Sequence, residues 1–276
     1  MDRDKLDGVI DGLVPMFRRI VRGQYVIALS GSIAKGKADA FSDVDFWIFA
    51  EGAVDWDERR AIMEDYSDTP DDVYIGGKWD QPAEYGNLVY QGVTVESSLQ
   101  SVGSGERIIA ACMAGKIAVE PTVWTIHGYY NHCTLSVIHS ARGLDDPQAI
   151  LREWKERLAV YPPKLKQAIV DKHLKDAHFW IDNFHYLSAI ERGDVVYTAG
   201  IVQQTLHNLI QVLFAVNEAY FAGDKKALDY VDGFAKKPSD FREHVHHLLT
   251  PMNDGVWKNQ HGILKGLVMA LEGLIG

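Results

Sequence analysis

Two apolar runs, residues 25–29 and 44–50, flank the stretch G-S-I-A-K-G-K-A-D-A-F-S-D-V-D at positions 31–45. Gly31 and Ser32 make a turn that can open a helix, and backbone N–H groups at such a place face an anion. Asp43 and Asp45 stand at i and i+2, so on a strand both carboxylates point to one face of the sheet. Paired carboxylates suit Mg2+, which keeps several waters and takes its remaining oxygens from substrate phosphates. A phosphate cradle beside a magnesium pair is equipment for phosphoryl or nucleotidyl transfer. A D-x-D pair alone usually marks a turn or a solvated strand edge. Here it opens the apolar strand Phe46, Trp47, Ile48, Phe49, where a charge needs a partner or a metal.

The elements that must position these residues follow from periodicity and punctuation. Leu6, Val9, Ile10, Leu13, Phe17 and Ile20 predict a helix over 4–22, with Pro15 a place for a kink. Strands are expected at 25–30 and 44–50, and a charged amphipathic helix at 55–66. Residues 73–76 and 88–90 are short strand candidates. Residues 93–99 are a better one, because Val93 and Val95 alternate with Thr94 and Glu96. Residues 105–115 read as a helix, and 134–139 suit a strand or a helix equally. Asp146-Pro147 reads as a helix start, with aspartate as cap and proline at the first helical position. Beyond it one helix is expected over 164–192, closed by Gly193, and another over 196–222, ended by Gly223. Two or three shorter helices should follow from 225 to 275. The expected fold class is therefore α+β. A domain with a small mixed sheet spans 1–145, a helical bundle spans 146–276, and the site is expected in the cleft between them.

The pattern G-S-x10-D-x-D resembles that of the polymerase β-like nucleotidyltransferases. With Lys35, Gly36 and Ser42 added, it is most similar to the small antibiotic nucleotidyltransferases that modify lincosamides and aminoglycosides. The resemblance covers residues 20–100, and beyond it the chain resembles uncharacterised two-domain bacterial relatives. It implies a third carboxylate on a neighbouring strand, acting as general base or completing the metal site. Glu96, set between apolar residues in G-V-T-V-E, is the best candidate, with Asp71, Asp72 and Glu84 as rivals. It also implies nucleotide-binding roles for Gly31, Ser32, Lys35 and Ser42, with Lys37 in reserve. In two-domain relatives a helical-domain lysine reaches the triphosphate. Lys225, in the stretch L-F-A-V-N-E-A-Y-F-A-G-D-K, falls on that lysine, although a solvated lysine at a helix start explains it equally. The implied activity is Mg2+-dependent transfer of a nucleoside monophosphate, AMP from ATP, to a hydroxyl of a small molecule, with an antibiotic as the favoured acceptor. The alternatives are transfer to a protein side chain or an RNA 3′ end, and a non-catalytic nucleotide-binding module.

Other groupings compete for attention. His178, Asp182 and His185 would share one helix face, which could hold zinc or line a substrate site. Asp182 and Glu218, with Asp176, are candidates for binding an amine-bearing acceptor through charge-assisted hydrogen bonds. Cys133 lies near His132 and His127, but no spacing supports a nucleophile, and a buried cysteine is the default.

The net charge of −10 over 276 residues disfavours a polyanionic partner, since nucleic-acid binders carry a basic face. The 47% hydrophobic content supports a sizeable core. Two cysteines, Cys112 and Cys133, without metal-type spacing fit a reducing, cytoplasmic setting. The start MDRDKLDGVI does not read as a signal peptide, and no apolar run reaches the length of a membrane span. The sequence allows an oligomer and does not name one.

Overall fold

The computed structural model describes residues 3–39, 41–79, 83–181 and 183–249. The chain is α+β. It opens with α1 (Arg3–Ile20), β1 (Val21–Leu29), the single-turn α2 (Gly31–Ala34), β2 (Val44–Ala53) and α3 (Trp56–Tyr66). Three strands follow, β3 (Tyr74–Gly77), β4 (Glu84–Tyr90) and β5 (Val93–Ser101), then α4 (Val102–Met113). A short ribbon of β6 (Val119–Glu120) and β7 (Tyr129–Tyr130) precedes α5 (Cys133–Ser140), β8 (Arg142–Asp145) and α6 (Ile150–Arg157). Among the described residues the remaining elements are all helices: α7 (Pro163–Ile181), α8 (Phe184–Arg192), α9 (Val195–Val216), α10 (Ala227–Val231) and α11 (Phe241–Leu249).

Local chemistry explains several boundaries. The Asp55 carboxylate caps α3 by accepting from the Glu58 N–H, and Ser101 caps α4 by accepting from the Ser104 N–H. Gln91 and Gly92 both have positive φ, the backbone of a two-residue hairpin turn whose twist matches the strands it joins, β4 and β5.

The main sheet has the order β3-β4-β5-β2-β1-β8. The central pair, β2 and β5, is parallel, and the other pairs are antiparallel. Val44, Phe46 and Ile48 of β2 and Val95 and Leu99 of β5 join one buried cluster with Val9, Leu13 and Phe17 of α1 and Ile62 and Met63 of α3. The alternating residues of β2 and β5 therefore point to the opposite face.

The chain divides into two compact units. The first runs to Ile169 and takes in Glu218–Lys225; the second comprises Val170–Asn217 and the residues from Lys226 on. The position expected as a boundary, 145, falls inside the first unit. Arg142–Asp145 is the edge strand β8, not expected from the sequence, held to β1 and anchored by hydrogen bonds from Tyr25 and Arg18 to the Asp145 carboxylate. The Asp146 carboxylate does serve a helix start, but one three residues later than expected. The carboxylate accepts N–H bonds from Ile150, Leu151 and Arg152, and α6 begins at Ile150, so Pro147 is not its first residue. Residues 134–139 are helical, within α5.

In the second unit His173 of α7 and Asn208 of α9 share a buried hydrogen bond of 2.7 Å, and Phe214 of α9 packs its ring on Tyr230 and Phe234. The helix expected over 164–192 is two, because Asn183 caps a new start at Phe184 by accepting from the His185 N–H; Gly193 closes it in the left-handed region, as expected. The helix expected to reach 222 stops at Val216. There the Asn217 side chain donates to the carbonyls of Leu213 and Lys236 and accepts from the Lys236 N–H. Among the described residues no helix is long and apolar enough to cross a membrane.

Candidate active site

The register of the two central strands builds the site. Asp45 of β2 is the direct partner of Glu96 on β5, and their neighbours Val44 and Val95 are paired on the core face. Both acids therefore emerge on the opposite face. Asp43, just before β2, joins them, and one carboxylate oxygen from each of the three lies within 4.8 Å of the others. It is the cluster of this kind among the described residues. Like charges this close disfavour ionisation. Burial, followed by the charges of Asp43 and Glu96, pushes Asp45 up to about 7; burial and Asp43 likewise raise Glu96.

The glycine-serine turn is fastened to the same acids. The Ser30 N–H donates to the Asp45 carbonyl at 2.8 Å, and α2 starts immediately after. Gly31 has φ +64° and lies so close to the Asp45 carboxylate that a Cβ would collide with it. Only glycine satisfies both demands. The Ser32 hydroxyl is buried and has no hydrogen-bond partner among the described residues. An unpaired buried hydroxyl is costly, and a phosphate oxygen would satisfy it.

Two lysines act on the cluster. Lys35 is half-buried; burial lowers its ammonium pKa, while Cys133 and Asp45 oppose that shift. Lys225 is exposed, and its charge favours the ionised forms of Asp45 and Glu96. Its place is set by Glu218–Lys225, a non-helical strap of the first unit. Lys166 holds Glu218 at 2.8 Å, the Tyr220 hydroxyl donates to the Leu158 carbonyl, and Phe221 is buried against His132. Asp224 accepts the N–H groups of Ile126 and His127. Asp224 is not among the residues expected from the sequence. Its signal was the Gly-Asp pair before the lysine, since such residues build turns.

The structure brings together Gly31, Ser32, Lys35, Asp43, Asp45, Glu96 and Lys225. The rivals of Glu96 lie elsewhere: Asp71 and Asp72 are exposed in a short 3-10 turn, and Glu84 is held by buried Arg59 at 2.5 Å. Ser42 exchanges hydrogen bonds with Asp39, accepting its N–H and donating to its carboxylate, and so closes the loop between cradle and acids. Glu218 and Asp176 are already ion-paired, with Lys166 and Lys172. Asp182 lies outside the described residues, and His178 and His185 belong to two different helices. Burial drives the Cys133 thiol up to about 12, far from a thiolate nucleophile.

Residues 129–225 match the model of a family described as Domain of unknown function (DUF4037). The match covers less than half of the chain. No curated protein matches the chain in sequence. Among solved structures the chain is similar to a nucleotidyltransferase-like protein from Exiguobacterium sibiricum 255-15, at 10% identity and a TM-score of 0.39, over 87% of this chain and 74% of that one. A likeness of that degree assigns neither fold nor activity.

Proposed function

We propose that the protein is a nucleotidyltransferase that moves a nucleoside monophosphate, AMP from ATP, to a hydroxyl of a small acceptor. The observation that carries this reading is the convergence of Asp43, Asp45 and Glu96, with ligand atoms within 4.8 Å of one another, beside the Gly31–Ser32 turn. Three hard oxygen ligands fit Mg2+, and the unpaired Ser32 hydroxyl fits a phosphate oxygen. Asp43 and Asp45 would hold the metal, with Glu96 at its border. Bound there, Mg2+ supplies charge neutralisation for the phosphates and for the leaving pyrophosphate.

The chain's own residues supply the rest. The N–H groups and hydroxyl of the Gly31–Ser32 turn orient the triphosphate. Lys35 and Lys225, whose charges both act on Asp45, add positive charge to the site. Glu96 accepts the proton of the attacking hydroxyl, and its raised pKa suits that task, because a general base works best near the operating pH. The hydroxyl oxygen bonds to the α-phosphorus, the bond from that phosphorus to the bridging oxygen breaks, and pyrophosphate leaves. The motif resemblance favours an antibiotic as acceptor, and the acidic net charge favours a small molecule over nucleic acid.

The test is pyrophosphate release from Mg·ATP by purified protein across a panel of small hydroxyl compounds. Wild type should release pyrophosphate with at least one compound. Asp43→Asn and Asp45→Asn should each lose about 100-fold or more, because each removes a charge that holds the metal. Near-normal turnover by both variants at saturating Mg2+ overturns the reading.

A further inference from the structure

We propose that Trp124, with Tyr85 and Trp47, forms the wall on which the acceptor stacks, and that the acceptor is therefore a hydroxyl-bearing ring. This rests on the nucleotidyl-transfer reading of the adjoining acids. The register fixes the place. Asn87, Glu96 and Asp45 form one cross-strand row, and Tyr85, Ser98 and Trp47 form the next row on the same face. The Gly31–Ser32 turn lies past the end of β1, beyond the acid row. The acids thus stand between the phosphate cradle and the aromatic row. In-line displacement puts the attacking hydroxyl opposite the leaving pyrophosphate, which is the side this row occupies.

The row is built as a site. Trp124 is 52% exposed, so it contributes little to a core, yet it is held from several directions. Its ring meets Tyr85 at 6.2 Å and Tyr129 at 5.3 Å. Its loop is closed by the Thr122 and Thr125 hydroxyls and by the Asp224 carboxylate, which takes the Ile126 and His127 N–H groups. Asp224 also precedes Lys225, so one carboxylate fixes both the wall and the lysine that faces the acids. Ser98, 5% exposed between Tyr85 and Trp47, has a hydroxyl without a hydrogen-bond partner among the described residues. An indole and a phenol present flat faces that take a π face or the C–H face of a saturated ring. Of the carboxylates expected to bind an amine, Glu218 and Asp176 are matched by lysines.

The test titrates the full chain with Mg2+ and a non-hydrolysable ATP analogue, then with four probes: kanamycin, lincomycin, salicyl alcohol and the open-chain polyol erythritol. Binding is read by calorimetry and by the change in tryptophan fluorescence. At least one ring probe should bind and erythritol should not. Trp124→Leu should weaken that ring probe about 10-fold, and Trp124→Phe should recover most of the loss. Analogue affinity and melting temperature should stay those of wild type in both variants. The saturated and aromatic probes tell a sugar-like ring from a flat one. Equal ring binding by Trp124→Leu, binding of erythritol alone, or binding of no probe overturns this inference. Failure of the Mg·analogue titration in wild type instead overturns the nucleotidyl-transfer reading, whatever the probes do.

Discussion

The two faces of the central strands differ in everything but backbone. On one face β2 and β5 present Val44, Phe46, Ile48, Val95 and Leu99, sealed under α1 and α3. On the other they present Asp45, Trp47, Glu96 and Ser98, where carboxylates repel one another and a hydroxyl has no partner among the described residues. The alternation of the pleat is what separates them. A one-residue slip of β2 would drive Asp45 into the core and put Phe46 in water. The dry face thus pins the register that assembles the polar face, and the polar face carries strain that the dry face offsets.

The largest effect expected within this contrast is on chemistry alone. Glu96→Gln keeps the shape of the polar face and removes its proton acceptor. Turnover should fall by about 100- to 10,000-fold, while the affinity for Mg·ATP stays near that of wild type. Single-turnover kinetics beside an equilibrium nucleotide titration reads both quantities. An unchanged rate would shift the role of base away from Glu96, and a lost nucleotide affinity would make Glu96 a metal ligand first.

The mirror-image substitution is Phe46→Ala. Phe46 is fully buried, with its ring 4.8 Å from that of Phe17. Truncation should cost about 3–5 kcal/mol of stability, read by urea unfolding. Below the melting transition the acids should still bind Mg·ATP. Loss of nucleotide binding in a variant that remains folded would mean that the core face does more than fix the register.

The polar face was largely legible in the sequence because its parts are local. Gly31, Ser32, Asp43 and Asp45 lie within one strand-turn-strand passage, where spacing alone fixes geometry. Glu96 stood out by alternation, but separating it from Glu84 needed the β4–β5 pairing and the ion pair to Arg59. What arrives from a distance was not legible. Strand β8 contains one large apolar residue, Leu144, and forms because β1 offers it an open edge and Arg18 and Tyr25 grip Asp145. Residues 217–222 continue the helical apolar spacing of α9, yet Asn217 ends the helix and Tyr220 and Phe221 find partners on the first unit instead. That departure carries Lys225 to the acids. Apolar spacing does not signal it, since the anchors are contributed by residues 52 to 98 positions away in the chain.

The smallest expected effect separates the faces by pH. Asp45 titrates at about 7 in the folded chain against an ordinary value of 3.8. The folded state therefore holds its proton more tightly than the unfolded state does. Between about pH 4 and 7 the native protein carries the extra proton, so this group's contribution to stability falls as pH rises and is gone above 7. Glu96, also raised, acts with the same sign. In chelator, wild type should be more stable at pH 5 than at pH 8 as far as these groups decide it. Asp45→Asn should be more stable than wild type at pH 8, by ~2 kcal/mol once residual solvent screening is allowed for, with the gap closing towards pH 4. Mg2+ at pH 8 should reverse the order, because the cation compensates charges that the variant no longer offers. Urea unfolding at the two pH values, with and without Mg2+, gives the four stabilities. A variant that is less stable than wild type at pH 8 in chelator would show that the Asp45 carboxylate is held by attraction rather than repulsion, and that the polar face carries no strain for a metal to relieve.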